Sequence, residues 1–181
     1  MAERRNDKLF KIILSSIFLA IGMVLPLLTA QVKEIGDSLL PMHIAVMLCA
    51  FLCGGSYGAA VGFLLPFLRS FIFGMPPIYP NAVWMAFEMC AYGLAIGFMQ
   101  KKLKINGIKK IYVSLVTSQI FGRVVWGICK CILLGIGKSG FTFAAFISGG
   151  FVDALPGIVL QLVLVPFIVS ICERYNNKNK V

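Results

Sequence analysis

Apolar stretches close to the length of a bilayer crossing recur six times along this chain, and that pattern leaves little choice of fold. Backbone amides in hydrocarbon have no water to bond to, so a spanning segment must be a helix or part of a closed barrel. A spanning helix takes about 20 mostly apolar residues, whereas a barrel strand takes about 10 with strict alternation. The stretches cover residues 9–29, 39–53, 57–73, 81–99, 111–136 and 151–172, without alternation, the second being short. Across 181 residues, 59% are hydrophobic and the mean hydropathy is +0.90, which excludes an ordinary soluble domain. The expected fold is an all-α integral membrane domain of six transmembrane helices spanning residues 1–181. Arg4, Arg5, Lys8 and Lys11 before the first stretch give it the look of a signal peptide. It is long enough to span and no small-x-small cleavage site follows, so it is read as a retained helix.

Loop charges orient the bundle. With both termini inside, the N-terminal segment supplies four Lys or Arg, the 100–110 loop five and the tail three, against Lys33 and Lys138 outside. Positive residues stay cytoplasmic, so both termini are placed there. The net charge of +10 does not imply nucleic acid, because the basic residues sit at helix ends instead of covering a soluble face. None of the six cysteines lies in a long polar loop, so no disulfide framework is expected. Cys129 and Cys131 are two apart, a spacing that suits no common zinc site, and neither a metal nor a cofactor is expected.

Arg69, Glu88, Arg123, Lys130 and Asp153 fall inside the apolar stretches. A charge at that depth costs at least about 2.5–3.5 kcal/mol, and such residues pair, face a cavity or bind something. At a rise of about 1.5 Å per residue, these groups and His43 reach the outer half of the membrane from five helices. The inner half carries almost no polar residues, so an outward-open cavity is expected instead of a pore lined throughout. Two readings are open for each charge. It belongs to the site, or it is a structural ion pair, Arg69 or Arg123 with Glu88 and Lys130 with Asp153. Three cations against two acids leave one cation over, which suits an anionic ligand.

Tyr79, Trp84 and Trp126 lie at the same level, and flat rings beside a few polar groups suit a small heteroaromatic ligand. An interfacial aromatic belt accounts for Tyr79 equally well. Asn81 is placed either to cap the fourth helix or to line the pocket. The first helix has no buried charge and carries Ser16-x-x-x-Ala20, small residues one turn apart that let another helix approach closely, within this chain or in a partner.

The run Leu40-Pro41-Met42-His43-Ile44, then Cys53-Gly54-Gly55-Ser56-Tyr57-Gly58, Pro66-Phe67-Leu68-Arg69-Ser70, Gly74-Met75-Pro76-Pro77, Met85-Ala86-Phe87-Glu88 and Tyr92-Gly93 resembles the substrate-binding S component of energy-coupling factor (ECF) vitamin transporters. Within that family it looks most like the branch assigned to hydroxymethylpyrimidine or pyridoxine-type substrates, although Ala45 stands where that motif has proline. The resemblance implies a multi-pass protein of the bacterial plasma membrane that binds a vitamin from outside. Its partners are then a membrane-embedded coupling subunit, met by Ser16 and Ala20, and two cytoplasmic ATPases. The expected ligand-binding set, read from depth and level in the membrane, is His43, Arg69, Tyr79, Asn81, Trp84, Glu88, Trp126, Lys130 and Asp153.

No Walker A motif is present, so the chain does not hydrolyse ATP itself. The alternative vitamin is pantothenate. The alternative of another class is a stand-alone proton-coupled transporter using Glu88 or Asp153, against which stands the absence of an internal repeat. An intramembrane enzyme built on the single His43 finds no motif of catalytic spacing to support it.

Overall fold

A computed structural model describes residues 2–29, 40–135 and 146–178. These form six helices: α1 Ala2–Thr29, α2 Pro41–Leu52, α3 Gly55–Phe73, α4 Val83–Lys102, α5 Ile108–Lys130 and α6 Leu155–Lys178. Wide π-type turns precede α4 (Ile78–Ala82) and α6 (Ser148–Val152), and another follows α5 (Cys131–Gly135). With those turns, five helical segments are long and apolar enough to span a membrane. The expected polar loop at 30–38 and the Gly/Ser connection at 137–146, except Phe146, lie outside the described residues.

The exception in length is α2. Its 12 residues rise about 18 Å, short of the roughly 30 Å hydrocarbon core. Every residue from Pro41 to Ala50 is buried, so α2 is enclosed by protein instead of lipid. Irregular or short elements are tolerated at membrane depth under that condition. Met47, Val46 and Cys49 are fully buried in a core shared with Leu65 of α3, Met89, Tyr92 and Ile96 of α4, and Val165 and Val169 of α6. By contrast α1 is apolar almost all round and mostly uncovered, with Phe10, Ile13, Ile17 and Val24 facing outward.

Glycine lets α3 and α4 approach closely. A Cβ on Gly55 would come within 2.6 Å of the Gly97 Cα, and one on Gly62 within 2.6 Å of the Met89 carbonyl oxygen. A Cβ on Gly93 would collide with the backbone of Gly58 and Ala59. Between lipid-embedded helices there is no hydrophobic driving force, so association rests on such intimate packing. That seam positions Glu88, which stands on α4 between Met85 and Tyr92, against α2 and α5.

Candidate functional site

Leu40, His43, Trp84, Met85, Glu88, Arg123, Trp126, Gly149, Asp153 and Ala154 line a cavity of about 270 Å³. Ligand pockets for drug-sized molecules run to roughly 300–1,000 Å³, so this one suits a smaller molecule. Its walls come from the N-terminal ends of α2 and α4, the C-terminal half of α5 and the turn leading into α6. All of these lie toward the side of the bundle that the loop charges place outside.

Glu88 is the floor. It is 2% exposed, and a single oxygen, Oε1, accepts hydrogen bonds from Arg123 Nη1 at 2.9 Å and from the Tyr92 hydroxyl at 2.9 Å. His43 Nε2 stands 3.6 Å from the same oxygen, too long for a hydrogen bond but close enough for attraction. The His43 ring meets Tyr92 edge-on at 5.4 Å. His43 is 1% exposed, and neither ring nitrogen has a hydrogen-bond partner. Buried polar atoms in folded proteins are nearly always satisfied, so a buried, pocket-lining imidazole with no hydrogen bond at Nδ1, and only the attraction of Glu88 at Nε2, has room for a donor or acceptor.

Both tryptophans of the chain line the cavity. The Lys130 ammonium lies over both, 5.3 Å from the Trp84 ring centroid and 4.5 Å from that of Trp126. Such positions over an indole face are favourable by about 0.5–2 kcal/mol. Two glycines make room on the other side, since a Cβ on Gly149 or Gly150 would press on the Trp126 ring at 3.3 and 3.4 Å. The turn into α6 can therefore lie flat on Trp126, which brings Asp153 to the cavity.

Leu40 caps α2 with φ 49 and ψ 50, a left-handed conformation rare for a branched side chain and further disfavoured before proline. Strain of this kind persists where the surroundings dictate it and is concentrated at binding sites.

Of the nine expected ligand-binding residues, the structure brings His43, Trp84, Glu88, Trp126 and Asp153 to the cavity wall, with Lys130 against its two indoles. The others stand elsewhere. Arg69 is buried, but its Nη1 donates to the Met23 carbonyl of α1 at 2.8 Å and its guanidinium lies 5.5 Å from the Phe73 ring. Pro26 interrupts the hydrogen-bond ladder of that turn of α1, and Arg69 ties α3 to it. Tyr79 is 65% exposed and belongs to the chain entering α4, as an interfacial ring does. Asn81 is half-buried beside it and caps nothing, because α4 starts from Ala82 without a side-chain cap.

Two pairing expectations resolve differently. Glu88 pairs with Arg123 and not with Arg69. Among the described residues the Asp153 carboxylate has no ion pair, and the Lys130 charge is directed at the indoles. The surplus of cations expected from the sequence therefore does not exist at the cavity. Its charged lining is Glu88, Arg123 and Asp153, with the first two paired.

The inner half of the bundle is also less apolar than expected. Gln119 Nε2 donates to Gln161 Oε1 at 2.9 Å, joining α5 to α6 about one helical turn inward of Arg123. Ser114 and Ser118 are fully buried, and Gln100 Nε2 donates to Ser114 Oγ at 3.4 Å. These side chains carry no charge, so their cost at that depth is smaller and they stand out less in the sequence than the buried charges do. Arg123 was visible as a buried charge but not as a wall of the cavity. Leu40, Met85, Gly149 and Ala154 gave no chemical signal.

A helical membrane protein with a small, mixed aromatic and charged cavity toward one face is the class this geometry defines. The family model for the ECF transporter, substrate-specific component, matches residues 10–169. The chain belongs to that family, and so is the substrate-binding subunit of an ECF transporter, a transport protein and not an enzyme. Neither the curated proteins nor the solved structures contain a match to this sequence.

Proposed function

We propose that this chain binds a water-soluble vitamin or vitamin precursor from outside the bacterial plasma membrane, and that the ligand is of the pyridoxine or hydroxymethylpyrimidine type. The carrying observation is the pairing of two indoles with a buried imidazole that makes no hydrogen bond within the protein, in a cavity of about 270 Å³. A planar ring bearing hydroxyl or amino groups complements such walls by stacking and by hydrogen bonding to His43. Pantothenate has no ring to offer the indoles.

Transport then requires energy that this chain cannot supply. On this proposal a membrane-embedded coupling subunit and two cytoplasmic ATPases provide it. Ser16 and Ala20 are both exposed on α1, on a helix otherwise covered little by its own chain, which suits a docking face for another membrane helix.

The test is a thermal-shift screen of the detergent-purified chain against water-soluble vitamins. A ligand that binds the folded state alone stabilises it by mass action, by about 2.7 kcal/mol at a hundred times Kd. A large shift with pyridoxine or hydroxymethylpyrimidine is expected. A shift confined to an acyclic or anionic vitamin overturns the substrate assignment.

A further inference from the structure

We propose that the Arg123–Glu88 pair reads a donor–acceptor edge of the ligand, an amino group beside a ring nitrogen, so that the site takes an aminopyrimidine in preference to a hydroxypyridine. The inference rests on the vitamin-binding reading above and chooses between its two ring types.

The way the pair meets carries it. Arginine and a carboxylate frequently join as a fork, with parallel N–H···O bonds to both oxygens. Here they join through one atom of each, Arg123 Nη1 to Glu88 Oε1 at 2.9 Å. The Tyr92 hydroxyl donates to the same oxygen at 2.9 Å, and His43 Nε2 is drawn to it at 3.6 Å. Among the described residues nothing donates to the second oxygen, Oε2, and Nε and Nη2 of Arg123 donate to nothing. None of these atoms is fully enclosed by the protein. Both residues line the cavity and are otherwise buried, so the cavity is where these atoms open.

Their needs define the ligand. An ionised carboxylate oxygen only accepts, and guanidinium nitrogens only donate. Because the two groups already touch, the open acceptor and the open donors are neighbours. What fits both is an N–H beside an unprotonated nitrogen in one plane. An aminopyrimidine with the amino group next to a ring nitrogen has that edge. Its amino group donates to Oε2 and its ring nitrogen accepts from Arg123, while Trp84 and Trp126 offer flat walls to the ring. A ring whose hydroxyl is a further carbon away from its nitrogen lacks the edge. Selectivity comes from what a wrong ligand leaves unpaired, since a buried charged acceptor facing a methyl group loses its hydrogen bond to water and gains none.

The full chain, purified in detergent at mildly alkaline pH to keep the probes uncharged, is titrated with 4-aminopyrimidine, 4-methylpyrimidine and aniline. The methyl compound keeps the shape without the donor, and aniline keeps the amino group without the ring nitrogen. Affinities are read by ligand-observed NMR. The aminopyrimidine is expected to bind at least about tenfold more tightly than either of the others.

In Glu88→Gln, Tyr92 and Arg123 hold the amide oxygen and the amide N–H group turns to the cavity. Donor then faces donor, and the preference for 4-aminopyrimidine over 4-methylpyrimidine falls below about threefold. A merely structural Glu88 lowers both affinities together and leaves their ratio unchanged. Equal wild-type affinities for those two probes, binding of no probe, or an unchanged ratio in Glu88→Gln each overturns the proposal; the wild-type comparison needs no variant to fold. If a vitamin shifts the melting temperature while the wild-type preference is absent, or pyridoxine shifts it more than hydroxymethylpyrimidine, this inference falls and the vitamin-binding reading stands. Preference for 4-aminopyrimidine with no response to any vitamin leaves the edge as described and removes that reading.

Discussion

Arg123 Nη1 and Glu88 Oε1 meet at 2.9 Å, one from α5 and one from α4, each almost wholly enclosed by protein. The pair fixes the floor of the cavity, and Tyr92 and His43 are arranged around the same oxygen. Removing one partner of a buried ion pair leaves the other charge uncompensated, whereas replacing both with apolar groups is often tolerated. Arg123→Leu is thus expected to destabilise the chain by about 3–5 kcal/mol. Combining it with Glu88→Leu should recover a large part of that loss. Melting temperatures of the two single variants and the double variant, in one detergent, check this. Additive losses in the double variant would show that the pair contributes nothing as a pair.

Ligand affinity and stability should separate between two buried cavity-level residues. His43→Ala removes an open imidazole from the cavity wall and is expected to weaken vitamin binding about tenfold or more, by the loss of a hydrogen bond worth about 1.5 kcal/mol. Arg69→Ala loses the tie to Met23 and is expected to lower the melting temperature with ligand affinity changed less than about twofold. Isothermal titration of both variants decides it, and a large affinity loss in Arg69→Ala would bring that residue back to the site.

At the α3–α4 seam the prediction concerns space. Gly93→Ala puts a methyl group against the Gly58 and Ala59 backbone, which cannot yield as a side chain would. The expected cost is about 1–3 kcal/mol, and aggregation on size-exclusion chromatography for any larger residue. Gly74 is a control of a different kind. It has open space around it and φ 70 with ψ 1, so Gly74→Ala meets only the cost of a left-handed backbone, about 1 kcal/mol. Equal melting temperatures for the two alanine variants would remove the close-packing account of the seam.

Docking is tested on α1. Replacing Ser16 and Ala20 together by leucine adds bulk to an exposed face and touches nothing in the cavity. Vitamin binding by the purified variant should match the wild type within about twofold, while uptake by cells holding the partner subunits falls at least about tenfold. Loss of binding would show that this face packs inside the chain.

The number of helices and the gathering of polar groups toward one face were legible because both follow from hydropathy and from a rise of about 1.5 Å per residue. His43, Glu88 and Asp153 were found by their cost in an apolar setting, and Trp84 and Trp126 by their level. Depth does not give direction around a helix axis, however. Arg69 shares a level with the cavity yet turns toward α1. Tyr79 shares it as well and stays at the surface. The Gln119–Gln161 bond was hidden for a related reason, since its worth depends on two amides meeting across helices 42 residues apart. Nor does any local rule place Leu40 in a left-handed conformation. That conformation is imposed by what packs around it.

The brevity of α2 has a consequence for how the chain enters the membrane. A segment of 12 residues is too short to be held by lipid on its own, yet every residue from Pro41 to Ala50 ends up enclosed. Only the two-residue link Cys53-Gly54 separates it from α3, which is long enough to cross. Insertion of α2 is therefore coupled to that of α3, the two passing in as one helical hairpin. His43 meets the rest of the cavity wall only across α4, α5 and the turn into α6, so the candidate site is a product of assembly instead of a preformed part of any single helix.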